Sequence, residues 1–126
     1  MKYYIILNIM GKEIGDTIED KNEFNGLLKN NPGFIVIKFG AEWCAPCKLI
    51  HEDVYEHFNS LPENVSCYDL DVDDNFELFA YLKTKKQISS IPAILAWKKG
   101  NTMVGADYSV VGADKEKIKV FFNGLV

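Results

Sequence analysis

The sequence predicts an α/β fold, a central mixed sheet flanked by helices, and three features carry that expectation. Phe34-Ile-Val-Ile-Lys-Phe39 is a nearly continuous apolar run, the pattern of a strand covered on both faces. Strand-like and helix-like periodicities alternate along the chain, which favours parallel strands joined by right-handed crossovers. Between the apolar run and the next helical pattern stands Trp43-Cys44-Ala45-Pro46-Cys47-Lys48, which delivers two thiols to the first turn of a helix.

Tyr3 to Ile9 is rich in aromatic and β-branched residues and reads as a strand, with Gly11-Lys12 as a turn and Glu13 to Ile18 as a second strand, together an added hairpin. Asp20 is placed to cap a helix ending near Asn31, with Phe24, Leu27 and Leu28 spaced i, i+3, i+4 and Asn30-Asn31-Pro32-Gly33 as the stop. One helix is expected from Pro46 to Leu61, with Ile50, Val54, Phe58 and Leu61 on its buried face. Val65 to Val72 is the next strand. Asp71 to Asn75 then supplies loop and cap chemistry for a helix whose core positions are expected to be Phe76, Phe79, Ala80 and Leu82. Ile91 to Trp97 reads as a strand opening at a proline, and Lys98-Lys99-Gly100-Asn101 as a tight turn into an antiparallel partner near Thr102 to Val104. Gly105 to Ser109 reads as irregular, and Asp114 caps a closing helix that carries Ile118, Phe121, Phe122 and Leu125.

A length of 126 residues suits one compact domain, and 48% hydrophobic with 25% charged residues is an ordinary globular balance. A formal net charge of −4 supplies no basic face for nucleic acid. The one dense basic cluster, Lys83, Lys85 and Lys86, falls near an expected helix end, where cations complement the dipole. Met1 to Met10 lacks the length and cleavage pattern of a secretory signal, and no run approaches the ~18 apolar residues of a membrane span. A monomer without nucleic-acid or membrane partners is therefore expected. Three cysteines, two of them at CxxC spacing, do not make a disulfide framework, so a reducing compartment, the cytoplasm, is the expected location.

Thiols at i and i+3 of a helix start can reach disulfide distance, and the aligned peptide dipoles there favour a thiolate, which marks Cys44 as the candidate nucleophile. By itself the motif offers redox chemistry or metal binding. Cys44, Cys47 and His51 share a helical face, and Cys67 could complete a zinc set, but a second properly spaced pair is missing and no metal is expected. Cys67 alternates with Tyr68 and Leu70 along a strand and reads as a buried, inert cysteine.

With this element order and this motif, the chain resembles the thioredoxin family over about residues 13 to 126, with residues 1 to 12 as an N-terminal extension read as a strand. In that family a loop proline with a cis peptide bond lies beside the cysteine pair. Ile91-Pro92, 48 residues after Cys44 and just before a strand, matches it, and Gly112 matches the family's glycine beside the active site. The resemblance implies reduction of protein disulfides by dithiol–disulfide exchange, with Cys44 as nucleophile and Cys47 as resolving thiol. It implies no cofactor beyond the redox-active Cys44–Cys47 disulfide. It also implies a docking surface of Trp43, Ala45, Pro46, Ile91, Pro92 and Gly112, disulfide-containing protein substrates, and a reductase or glutathione as electron donor. A cis Pro92 at that point would block metal binding. The competing readings are a disulfide isomerase or oxidase, and a binding module that keeps the fold for assembly.

The departures from the family pattern are specific. Ala45 replaces the usual glycine between the cysteines, Gly40 replaces a usual tryptophan, and Glu52 stands where a helix-kinking proline is expected. Lys38 occupies the position of the family's buried acid behind the second cysteine, while Asp69 falls where the partner lysine belongs. The pair reads as exchanged between strands. A lone buried charge is costly whereas a hydrogen-bonded pair is tolerated, so the two changes belong together, and Asp69 is expected to act as proton acceptor for Cys47, through water.

Overall fold

The computed structural model describes residues 12–126. The elements run β1 (Ile14–Gly15), α1 (Lys21–Lys29), β2 (Phe34–Gly40), α2 (Ala45–Leu49), α3 (His51–Ser60), β3 (Val65–Asp71), α4 (Phe76–Thr84), β4 (Ala93–Lys98), β5 (Tyr108–Val111) and α5 (Lys115–Asn123). They form one five-stranded sheet in the order β1-β3-β2-β4-β5. β1, β3 and β2 are parallel, and β4 turns antiparallel to β2 with β5 antiparallel to it. This is the mixed sheet expected. The strand read over Tyr3 to Ile9 lies outside the described residues.

Strand alternation sorts the core into two layers. Ile35, Ile37 and Phe39 of β2 point to the face covered by α1 (Phe24, Leu28) and α4 (Leu78, Leu82). Val36 points to the face covered by Ile50, α3 (Val54, Phe58) and α5 (Ile118, Phe121, Phe122). Lys38 follows Val36 by two residues, so the charge enters the sheet on the α3 side. β2 is central and buried from Ile35 to Gly40, which is why its sequence is nearly all apolar. Asp20 and Asp114 cap α1 and α5 as read, accepting from the Glu23 N–H, and from the Glu116 and Lys117 N–H groups, respectively.

Four expectations are corrected. The strand over Glu13 to Ile18 shrinks to Ile14–Gly15, paired parallel with Cys67 and Tyr68 at the sheet edge. The helix after the cysteine motif is interrupted at Ile50, although no proline is present. Ile50 is fully buried among Val36, Val54 and Ile94, and the break coincides with this insertion into the core. In α4, Leu78 and Leu82 are the buried residues while Phe76 is 66% exposed. Two residues along a helix turn the side chain by about 200°, so Phe76 and Leu78 cannot share a face. Finally, β4 pairs with Tyr108–Val111 and not with Thr102 to Val104, so part of the stretch read as irregular is strand.

The segment between β4 and β5 has its own tethers. Trp97 Nε1 donates to the Val104 carbonyl at 3.1 Å, and Asn101 Nδ2 donates to the Gly105 carbonyl and to Asp107. Asp107 also accepts the Lys98 N–H. Partial burial would raise the Asp107 pKa, but these hydrogen bonds and the Lys98 charge outweigh it and hold the carboxyl below the usual range.

α1 is fastened to β4 by an edge-to-face contact of Phe24 on Trp97, with ring centroids 5.0 Å apart and both residues fully buried. Phe24→Ala is expected to cost about 3–5 kcal/mol in a urea unfolding curve; a loss below about 1 kcal/mol would mean that α1 contributes little to the core.

Candidate active site

β2 ends at Gly40, and the chain then turns so that the Cys44 N–H donates to the Ala41 carbonyl and Cys44 becomes the N-cap of α2. Pro46, second in α2, has no N–H to lose at a position where none would be used. Cys44 and Cys47 form a disulfide, with their Cα atoms 5.3 Å apart. Both are nearly buried, at 6% and 4% exposed, and the Cys47 N–H donates to Cys44 Sγ at 3.3 Å. A backbone donor aimed at this sulfur favours its thiolate once the disulfide opens.

The turn after β3 clamps one side of the motif. The Val72 N–H donates to the Gly40 carbonyl, the Glu42 N–H to Asp71, and Trp43 Nε1 to Asp73 at 2.8 Å. Trp43 remains 69% exposed, so its indole is oriented without being buried. Ala45 and Pro46 are exposed beside it. Asn75 departs from its expected capping role: its buried side chain accepts the Ile18 N–H and donates to the Asp16 and Asp71 carbonyls, joining α1's approach to this turn.

On the opposite side, the Ile91–Pro92 peptide is cis. Ile91 packs, half-buried, against the core cluster that contains both cysteines. The Gly112 N–H donates to the Pro92 carbonyl at 2.8 Å, and Gly112 has φ +97°, a conformation that favours glycine. The structure thus joins two residues that the sequence assigned to the site separately.

Behind Cys47, Lys38 and Asp69 are direct register partners on β2 and β3. Their side chains form an ion pair at 3.3 Å, with Lys38 5% and Asp69 19% exposed. Tyr55 of α3 donates its hydroxyl to the second carboxylate oxygen of Asp69 at 2.8 Å, and the His51 ring packs on Tyr55 with centroids 4.4 Å apart. Burial, and after it the hydrogen bond and charge of Asp69, push the Tyr55 phenol well above its ordinary pKa, so Tyr55 is a fixed donor. Sequence reasoning missed Tyr55; its i+4 spacing from His51 was the available signal.

Lys38, Asp69 and His51, with Gly40, line a cleft that reaches Cys47. Cys67 lies outside it, buried at 2% in the α3/α5 layer, where burial pushes its thiol up to about 12. Among the described residues, no three His, Cys, Asp or Glu side chains converge on a common point as a metal would require.

A thioredoxin family model matches residues 16–123. Horse thioredoxin is 35% identical over 114 residues, covering 86% of this chain and 96% of that one. Rice chloroplastic thioredoxin M3 is 35% identical over 66 residues, which span 52% of this chain and 35% of that one. The structure of Trichomonas vaginalis thioredoxin superposes with a TM-score of 0.70 at 25% identity, over 90% of this chain and 97% of that one. A cysteine pair bonded at the start of α2, a cis proline opening β4 and this agreement in sequence and fold have one reading: the chain belongs to the thioredoxin family of thiol–disulfide oxidoreductases.

Proposed function

We propose that the protein reduces protein disulfides through Cys44 and Cys47. The observation that carries the reading is the Cys44–Cys47 disulfide at the start of α2, with the Cys47 N–H on Cys44 Sγ. In the reduced protein the Cys44 thiolate attacks one sulfur of the substrate disulfide. A Cys44–substrate bond forms, the substrate S–S bond breaks, and the departing sulfur leaves as a thiolate that takes a proton. Cys47 then loses its proton and attacks Cys44 Sγ, the Cys44–substrate bond breaks, and reduced substrate leaves while the protein keeps both electron holes as its disulfide. A reductase or glutathione returns the two electrons.

Trp43, Ala45, Pro46 and Ile91 form the apolar rim for the substrate in this reading, and the Ile91 backbone pairs with an extended substrate segment. Pro92 and Gly112 fix that rim. Asp69 takes the Cys47 proton through water in the cleft, held in place by Lys38 and Tyr55. The cytoplasm remains the proposed location, since the cycle needs thiols to regenerate the dithiol.

Two experiments test this. In an insulin-reduction assay, Cys44→Ser is expected to abolish turnover, while Cys47→Ser accumulates a mixed disulfide on Cys44 visible by intact-mass spectrometry. No turnover by the wild type with dithiothreitol, lost no further by Cys44→Ser, would leave only a binding role. Asp69→Asn is expected to slow the resolving step by roughly 10²-fold or more, the usual worth of a positioned proton acceptor, and to alter its pH dependence; an unchanged rate across pH 6 to 9 removes Asp69 from the proton path.

A further inference from the structure

The position of Lys38 relative to Cys47 carries a consequence beyond its pairing with Asp69. A Cβ placed on Gly40 would lie 3.4 Å from Cys47 Sγ and 3.7 Å from Lys38 Nζ, so sulfur and ammonium are no more than about 7 Å apart. Glycine leaves that shared point free. The Lys38 ammonium has three N–H donors, and among the described residues its one side-chain partner is Asp69 at 3.3 Å. The stem is buried, which fixes the charge in place and limits its screening by salt.

We infer that Lys38 eases the ionisation of Cys47, so that the thiolate formed when Asp69 takes its proton is stabilised by a fixed cation. This deepens the exchange reaction proposed above and rests on it for its catalytic meaning. In the resolving step the Cys47 proton passes to Asp69, the thiolate so formed attacks Cys44 Sγ beside the Lys38 ammonium, and the electron pair of the breaking bond leaves on the substrate sulfur. Stabilising a thiolate also stabilises the dithiol relative to the disulfide, which makes the couple more oxidising.

The other charges facing this cleft weaken the effect without replacing its source. Lys115 of α5 is paired with Asp53 of α3 at 3.3 Å. Asp69, the counter-ion of Lys38, opposes it in part and also accepts from Tyr55. Asp71, which lines the same cleft, accepts the Glu42 and Asp73 N–H groups. The remaining charged or titratable side chains, Glu42, Lys48, His51 and Glu52, are exposed and therefore screened. Lys38 is the buried cation of the set. A unit charge at about 7 Å or less in partly buried surroundings changes an ionisation ratio by about tenfold or more.

The test uses thiolate absorbance at 240 nm between pH 4 and 9 in a Cys44→Ser background, where no exchange occurs and Cys47 reports alone. Cys67, with its thiol pushed up to about 12, stays protonated in that window. Adding Lys38→Met is expected to lower the thiolate-to-thiol ratio of Cys47 at pH 7 by about tenfold or more, whereas Lys38→Arg restores most of it. Lys38→Met with Asp69→Asn carries no unpaired buried charge, so it tests the same point if the single variant fails to fold, and it too should lose the thiolate. A Cys47 midpoint unmoved in these lysine-free variants overturns the inference. Because the readout needs no turnover, it is independent of whether Cys44 attacks protein disulfides.

Discussion

The ion pair between Lys38 and Asp69 is the constraint around which the site is arranged. Both charges sit on register partners of the two central parallel strands, where each alone would be desolvated without compensation. Removing one member of such a pair typically costs about 3–5 kcal/mol. Tyr55 adds a neutral hydrogen bond to the carboxylate, so the three side chains tie β2, β3 and α3 together immediately behind the disulfide. The pair therefore joins β2 to β3 at matched positions of the sheet.

The rest of the fold supplies a rigid frame for that pair. Apolar residues of β2 alternate between two helical layers, and Lys38 enters the one formed by α3 and α5, where it lines a cleft together with Gly40 and Cys47. The reactive disulfide sits where β2 ends and α2 begins, clamped on one side by the Asp71–Asn75 turn and on the other by the cis Ile91–Pro92 segment. Separate stretches of chain thus converge because the sheet order brings β2 between β3 and β4. Function depends on loops held by a scaffold whose own stability is set elsewhere.

Much of this was legible in the residues. The continuous apolar run announced a central strand, Asp20 and Asp114 announced helix starts, and the cysteine spacing, Ile91-Pro92 and Gly112 pointed to segments that the fold does bring together. The exchange of Lys38 and Asp69 could be read by resemblance, and their contact confirms that they meet. What escaped was decided by packing. Tyr55 faces Asp69 because of how α3 lies on the sheet, which periodicity does not encode. The break at Ile50 has no proline to signal it, and the position of β5 depends on side-chain tethers from Trp97, Asn101 and Asp107 that no turn motif reveals. Phe76 was misassigned because its hydrophobicity outweighed its helical phase, whereas Leu78 and Leu82 have the correct spacing.

Lys38 and Asp69 meet as one ion pair across β2 and β3. The most direct measurement is a double-mutant cycle on unfolding free energy, comparing Lys38→Asp, Asp69→Lys and the combined swap. The account predicts that each single change destabilises the protein by about 3–5 kcal/mol and that the swap recovers at least about 2 kcal/mol of the summed loss. Losses that simply add in the swapped protein would contradict it, because Lys38 and Asp69 would then be two independent charges that happen to lie side by side.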